Sequence, residues 1–305
     1  MIVLSSLAAL ALTAGSGAQP IRPAAQGAQP ATDDQPAEEV AQKIKRLTAW
    51  PQAARAAELR KEIRRLRAAR VPEMAASARA ALLEAGAATV PYLLPLLEKE
   101  NDQEVLAHMR EILDTVTGPP HTRLMAEYFS HRAIAVRLWA LERCSRLPDP
   151  GLRPAVKEAL EKLAKRGKKA DEQERLAAAL CLASTGSEEA LKELLTGLDK
   201  YWKRWGETAL IALEALRGSG STELLADLLV EEERSRRLLG LRLLGACLDL
   251  KRADIVLPFL EGSDSGLRIA AINLLRQAFD GDPPLERLPV FEAIERANKW
   301  RARLK

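Results

Sequence analysis

Few side chains in this sequence could do chemistry: three cysteines, three histidines, and one concentration of basic and aromatic residues. Cys144, Cys181 and Cys247 show no C-x-x-C spacing, so neither a zinc site nor a redox dithiol is written in them. His108, His121 and His131 share one stretch without the i, i+4 spacing that aims two imidazoles at one ion, and no acidic or thiol cluster accompanies them. H-E-x-x-H, G-x-S-x-G, G-x-x-x-x-G-K and G-x-G-x-x-G are all absent. The sequence calls for no catalytic residue, no metal and no cofactor. What remains is binding chemistry. Lys165, Arg166, Lys168 and Lys169 lie in one loop, and Tyr201, Trp202, Lys203 and Arg204 in the next equivalent one. Trp and Arg are favoured at protein interfaces, and a basic–aromatic mix also suits a phosphate backbone with stacked bases.

The elements that must position these residues are helices. Hydrophobic residues make up 47% of the 305, charged residues 29% and aromatics only 4%, and Ala, Leu, Arg, Glu and Lys dominate. These are strong helix formers, and the β-branched enrichment of a sheet protein is missing, so an all-α fold is expected. A repeat then organises the helices. Eight-residue blocks begin at Ala75, Leu106, Arg137, Arg175, Gly206, Arg237 and Arg268, in steps of 31, 31, 38, 31, 31 and 31 residues. Their eighth positions are Leu82, Leu113, Cys144, Leu182, Leu213, Leu244 and Leu275; their fourth are Ala78, Met109, Ala140, Ala178, Ala209, Gly240 and Ala271. Positions four apart share one helix face, and large beside small suits close helix packing. A second helix is expected between blocks, as in Val90–Leu97, Glu189–Leu195, Thr222–Leu229 and Asp254–Leu260.

The register assigns roles. Asp102, Asp171 and Asp264 stand four residues before their blocks, where an N-cap belongs. Trp202 falls in that same column, so it is expected to face water; Trp205 falls with Val105, Val136 and Leu267 and is expected in the core. Cys144 occupies a Leu column, and all three cysteines are expected as buried free thiols. Helices stacked roughly 9–10 Å apart would hold Cys144 and Cys181 beyond the roughly 7 Å Cα separation that a disulfide tolerates. The one long step adds seven residues around 164–170, and its loop is expected to lie beside the 200–205 loop, giving a contiguous basic–aromatic edge.

The pattern V-P-x-L-L-P-L-L, then N-D-x-x-V, then the apolar helix at 90–113, with D-I-V-L-P-F-L and S-D-S-G-L-R-I-A-A at 254–271, resembles the HEAT-repeat family. The likeness is greatest to its short subclass of roughly 30-residue repeats, the phycobilisome-lyase type. It covers about 72–304. It implies a right-handed α-solenoid, here of about seven helix pairs (HEAT-like or armadillo-like), with a concave binding face. The family includes scaffolds, nucleic-acid binders, chromophore lyases and adaptors, and fold alone does not choose among them.

The termini complete the organisation. Residues 1–18 read as a signal peptide, with an apolar run at 2–14 and Ser16-x-Ala18 as the cleavage pattern, although no Lys or Arg precedes the run. Residues 19–35 are a Pro/Ala/Gln linker, 36–71 basic helices beginning at Pro36 and Pro51, 72–284 the repeats, and 285–305 a polar, basic capping helix. The net charge is +4, with +6 at 35–70, +3 at 285–305 and −4 over 71–284. A nucleic-acid-binding solenoid carries positive charge along its groove, and this one does not. The expected function is a noncatalytic scaffold of the cell envelope, exported to the periplasm or beyond. Its partner would be a protein or peptide, on the concave face or the basic edge; an anionic membrane surface is a further candidate for the basic ends. Nucleic acid is the alternative if residues 1–18 are not a signal. A bilin-lyase-like enzyme is the lesser alternative, with no residue here to match its chemistry.

Overall fold

A chain so rich in Ala, Leu, Glu, Lys and Arg has little local tendency other than helix. In the computed structural model, residues 46–68 and 71–304 are described, all within one unit, and there is no strand among the described residues. The signal and linker readings fall outside the described residues. The helix expected from Pro36 does so too, except at 46–48, which are not helical.

Eleven longer helices are used as reference points: α1 Ala56–Ala68, α2 Pro72–Glu84, α3 Gln103–Val116, α4 Ile134–Ser145, α5 Arg153–Arg166, α6 Glu172–Ser184, α7 Trp202–Leu213, α8 Ser219–Leu229, α9 Arg234–Cys247, α10 Ser265–Leu275 and α11 Val290–Arg303. The seven eight-residue blocks lie in α2, α3, α4, α6, α7, α9 and α10. In order along the chain, α2 packs on α3, α4 on α6, α6 on α7, α7 on α9, α9 on α10 and α10 on α11. All seven fourth-position and all seven eighth-position side chains are buried. Burying one Leu is worth about 1.5–3 kcal/mol relative to leaving it exposed, so this stripe is a recurring contribution to the helix-to-helix packing. Small residues set how close helices come: a Cβ on Gly240 would lie 3.0 Å from Leu228 Cβ and Leu229 Cδ2, so α8 rests directly on α9.

The intervening helices are less regular. Val90–Leu93 is α-helical, then tightens to a 3₁₀ turn at Leu94–Leu96, where Pro95 removes a backbone donor. Ala190–Leu194 and Leu257–Glu261 are short, whereas α5 and α8 are full helices.

Two side-chain devices hold the connections. Asp102, Asp171 and Asp264 are N-caps, each accepting from backbone N–H groups of the first turn. Arg137, at the first position of its block, donates to the carbonyl of His131 at 2.6 Å. Arg237 does the same to Glu231 at 3.2 Å, and Arg268 to Gly262, always six residues back. Arg137 also makes a buried bidentate pair with Glu174, at 2.5 and 2.7 Å, tying α4 to α6.

Three departures from the sequence reading have physical causes. α1 starts at Ala56 and not at Pro51, because the preceding chain is held elsewhere: Leu47 N donates to Pro120 O at 2.9 Å, Arg46 pairs with buried Asp149 at 3.0 Å, and Trp50 stacks on His121. α11 starts at Val290, since Leu285 is clamped through both backbone groups by Asn273. It is also not uniformly polar: Val290, Phe291 and Ile294 are exposed. Cys144 and Cys181 are buried free thiols, but close neighbours; burial and the adjoining Cys181 thiol push the Cys144 thiol well above its usual range.

Candidate functional site

Successive residues of a helix point about 100° apart, so a cluster that is contiguous in sequence fans out around the axis. The first turn of α7 shows this. Tyr201, the residue before the helix, donates its hydroxyl to Glu172 Oε2 at 2.6 Å, and Lys200 donates to the same oxygen at 2.7 Å. These two donors draw the Glu172 carboxyl below its usual range. Trp202 is the first helical residue and not a cap; it is half-buried, with the Arg242 guanidinium 4.8 Å from its ring centre. Lys203 is exposed. Arg204 turns the other way, donating to both oxygens of Glu142 at 2.8 and 2.5 Å and lying 4.4 Å over the buried Trp205 ring.

Lys165 and Arg166 are exposed at the end of α5, and Lys169 is exposed in the 3₁₀ turn Gly167–Lys169, which also contains Lys168. That turn and Thr196-Gly197 line one shallow depression beside Glu172. The two loops therefore adjoin, but the continuous basic–aromatic edge is not formed. Tyr201 reaches that edge, whereas Trp202 and Arg204 leave it for opposite sides of α7.

Each of those sides is a groove. The first, of about 530 Å³, lies between α3, α4, α6 and α7 and includes Arg110, Trp139, Glu142, Arg143, Arg204 and Trp205. Its charges are largely satisfied from within. Trp139 Nε1 donates to Asp114 Oδ1 at 2.9 Å; Arg143 donates to Thr117 Oγ1 at 2.9 Å and Thr117 O at 2.5 Å; Arg204 is neutralised by Glu142. Hydrogen bonds to Glu142 hold the Arg204 guanidinium above its usual range.

The second groove, of about 580 Å³, runs from α7 across α9 to α10 and the 284–286 segment. Trp202, Leu210, Leu238, Ile269 and Leu285 supply apolar walls, with Arg242 among them. A Cβ on Gly206 would sit 2.7 Å from Trp202 Cε2, so glycine at this position lets the indole lie flat on its own helix. Arg242 is half-buried and forms no ion pair or side-chain hydrogen bond among the described residues. Burial lowers its affinity for the proton, and the nearby positive charge of Arg234 lowers it further. The two grooves meet across α7, where Glu207, on the rim of the second, pairs with Arg146 of the first at 3.2 Å.

Of the residues that define these grooves, sequence reading named Trp202, Lys203 and Arg204, and placed Trp205 in the core, where it is 1% exposed. It missed Trp139, Glu142, Arg143 and Arg242. A partial signal was present: in three blocks the second and sixth positions, four apart, give Leu138 and Glu142, Leu238 and Arg242, and Ile269 and Asn273, and the second position of the Gly206 block is Glu207. That face lines both grooves. The histidines serve local structure: His121 Nδ1 accepts from Gly118 N at 3.2 Å and His131 Nδ1 from Ala133 N at 3.1 Å. Among the described residues no group of His, Cys, Asp and Glu is placed to hold a metal ion, and no helix is long and apolar enough to cross a membrane. Compared with known proteins, the chain matches no family model, and no curated protein is similar to it.

Proposed function

We propose that this protein is a noncatalytic scaffold that binds a protein or peptide partner on the face carrying the two grooves beside α7. The observation that carries the reading is half-buried Trp202 beside Arg242 in the second groove, with Arg110, Arg143 and Arg204 lining the first, Trp and Arg being the residue types that dominate binding energy at protein interfaces. The row of block-bearing helices, buried in the same register and in three cases capped by Asp102, Asp171 and Asp264, supports a solenoid of about seven unequal helix pairs, HEAT-like, with this face as its concave side. The apolar run at 2–14 and the linker after it support export to the cell envelope. Charge argues against the nucleic-acid alternative: the grooves hold Glu142, Glu207 and Glu286 among their arginines, which a polyanion would have to displace.

The test is site-specific photo-crosslinking in the native host. A photoreactive residue at Gln173, in the first groove, or at Lys203, on the rim of the second, should give a discrete protein or peptide adduct. The same residue at Lys99, remote from both, should give none. Adducts from Lys99 alone would overturn the assignment of the face, and nucleic-acid adducts from the grooves would overturn the partner class.

A further inference from the structure

We propose that the second groove receives the C-terminal end of a peptide, with Arg242 taking the free carboxylate and the apolar walls taking the last side chain. The inference rests on the scaffold reading and specifies its ligand.

The argument begins from cost. A guanidinium half removed from water wants a counter-charge, and the other half-buried arginines of the block helices each pair with a carboxylate or donate to at least one backbone carbonyl, Arg237 and Arg268 to one alone. Arg137 has Glu174 and two carbonyls, Arg143 has Thr117 and the Asp114 carbonyl, and Arg236 has Glu231 and the Leu195 carbonyl. Arg242 has only the Trp202 ring, whose centre lies 4.8 Å from its guanidinium carbon, and its N–H donors meet no acceptor among the described residues. A guanidinium fork suits a planar, two-oxygen anion, and the surroundings say which one.

The local charge is close to balanced, because Lys203 and Arg242 share the groove with Glu207 and Glu286. A polyphosphate or a polyacidic segment gains nothing there beyond one contact. A single negative charge carried on an apolar body fits better: Leu210, Leu238, Ile269 and Leu285 lie in the same groove as the guanidinium. A C-terminal residue carries its carboxylate and its side chain on one carbon, so both can be met at once. Gln277 also lines the groove and makes no side-chain hydrogen bond among the described residues, leaving an amide for the peptide backbone. A fatty acid would have no use for that amide.

The experiment is selection of random heptapeptides, presented with free C-termini, against the full-length protein. Wild type should enrich peptides ending in Leu, Ile, Val or Phe. For the best peptide, C-terminal amidation and Arg242→Gln should each weaken binding by about tenfold or more, the worth of a charge-assisted pair. Arg242→Lys, which keeps charge and loses the fork, should recover only part of the affinity, and Arg132→Gln, at an exposed position that lines neither groove, should leave it unchanged. Melting of each variant, matched to wild type, separates lost recognition from lost fold. Selection of internal Asp or Glu indifferent to amidation, or loss with Arg204→Gln and not Arg242→Gln, would overturn this assignment while leaving a peptide-binding scaffold standing. Retention of no peptide, with dodecanoate bound instead, would overturn both.

Discussion

Two arginines lie over two tryptophans of one helix, one pair in each groove, and only one of the arginines is neutralised. Arg204 stacks on Trp205 and is gripped by Glu142; Arg242 stacks on Trp202 and is gripped by nothing among the described residues. The same contact thus has two meanings. Where a carboxylate closes it, the arginine ties α7 to α4 and is spent on architecture. Where none does, the half-buried charge stays unneutralised, and the proposed peptide carboxylate would supply its partner. The supporting walls differ in the same sense. Behind the first groove, α4 and α6 are joined by Arg137–Glu174, with side chains 6% and 4% exposed; in the second, α9 and α10 are joined by Arg234–Asp264, 53% and 33% exposed.

That contrast can be broken or sharpened by substitution. Glu174→Ala leaves Arg137 buried without its carboxylate and should cost about 3 kcal/mol in denaturant unfolding. Asp264→Ala, which removes an N-cap and an exposed pair, should cost about 1 kcal/mol; equal losses would erase the distinction between the two walls. The Asp264 loss should also titrate. The Arg234 guanidinium and the N–H groups of Leu267 and Gly266 hold its carboxyl well below the usual range. Its contribution is therefore full above the ordinary carboxylate range and fades as pH falls through the folded value, so wild-type and Asp264→Ala stabilities should converge in acid. Gly206→Ala must push the Trp202 ring from its seat, and should weaken carboxylate-ended peptides several-fold. Melting should change little, because the gain of about 1 kcal/mol from helix propensity opposes the clash. The smallest effect is expected from Glu142→Gln, less than about 1 kcal/mol for a partly exposed pair. It should nevertheless free Arg204 and add a second, weaker site in peptide titrations, turning the first groove into an analogue of the second.

Helix and core positions were legible because burial repeats: Leu82, Leu113 and Leu244 occupy one column, and a column is visible in one dimension. Asp102, Asp171 and Asp264 were legible as caps because capping acts within three residues. The grooves were not, since they depend on which side of a helix each residue leaves from. Tyr201, Trp202 and Arg204 look like one cluster in sequence and belong to three surroundings in space. Glu142 and Arg204, 62 residues apart, meet only because α4 and α7 both flank α6. The adjacency of the Cys144 and Cys181 thiols was hidden for a related reason: it depends on how α4 faces α6, which a single helix's pattern does not carry.

The attachment of Arg46, Leu47 and Trp50 to the 119–128 region and Asp149 has a mechanical consequence. Most of the other long-range side-chain hydrogen bonds in this chain join residues about 22 to 41 apart, but Arg46 to the Pro119 carbonyl closes a separation of 73 residues. A row of helices held only by neighbour contacts peels from its end one helix at a time. Here the segment before α1 is buckled across α1, α2 and α3, so tension applied at the N-terminus loads the buckle first. Until it slips, α1, α2 and α3 bear no force. Once it does, they pay out as a single length, and the row of helices begins to fray from a point well inside its edge.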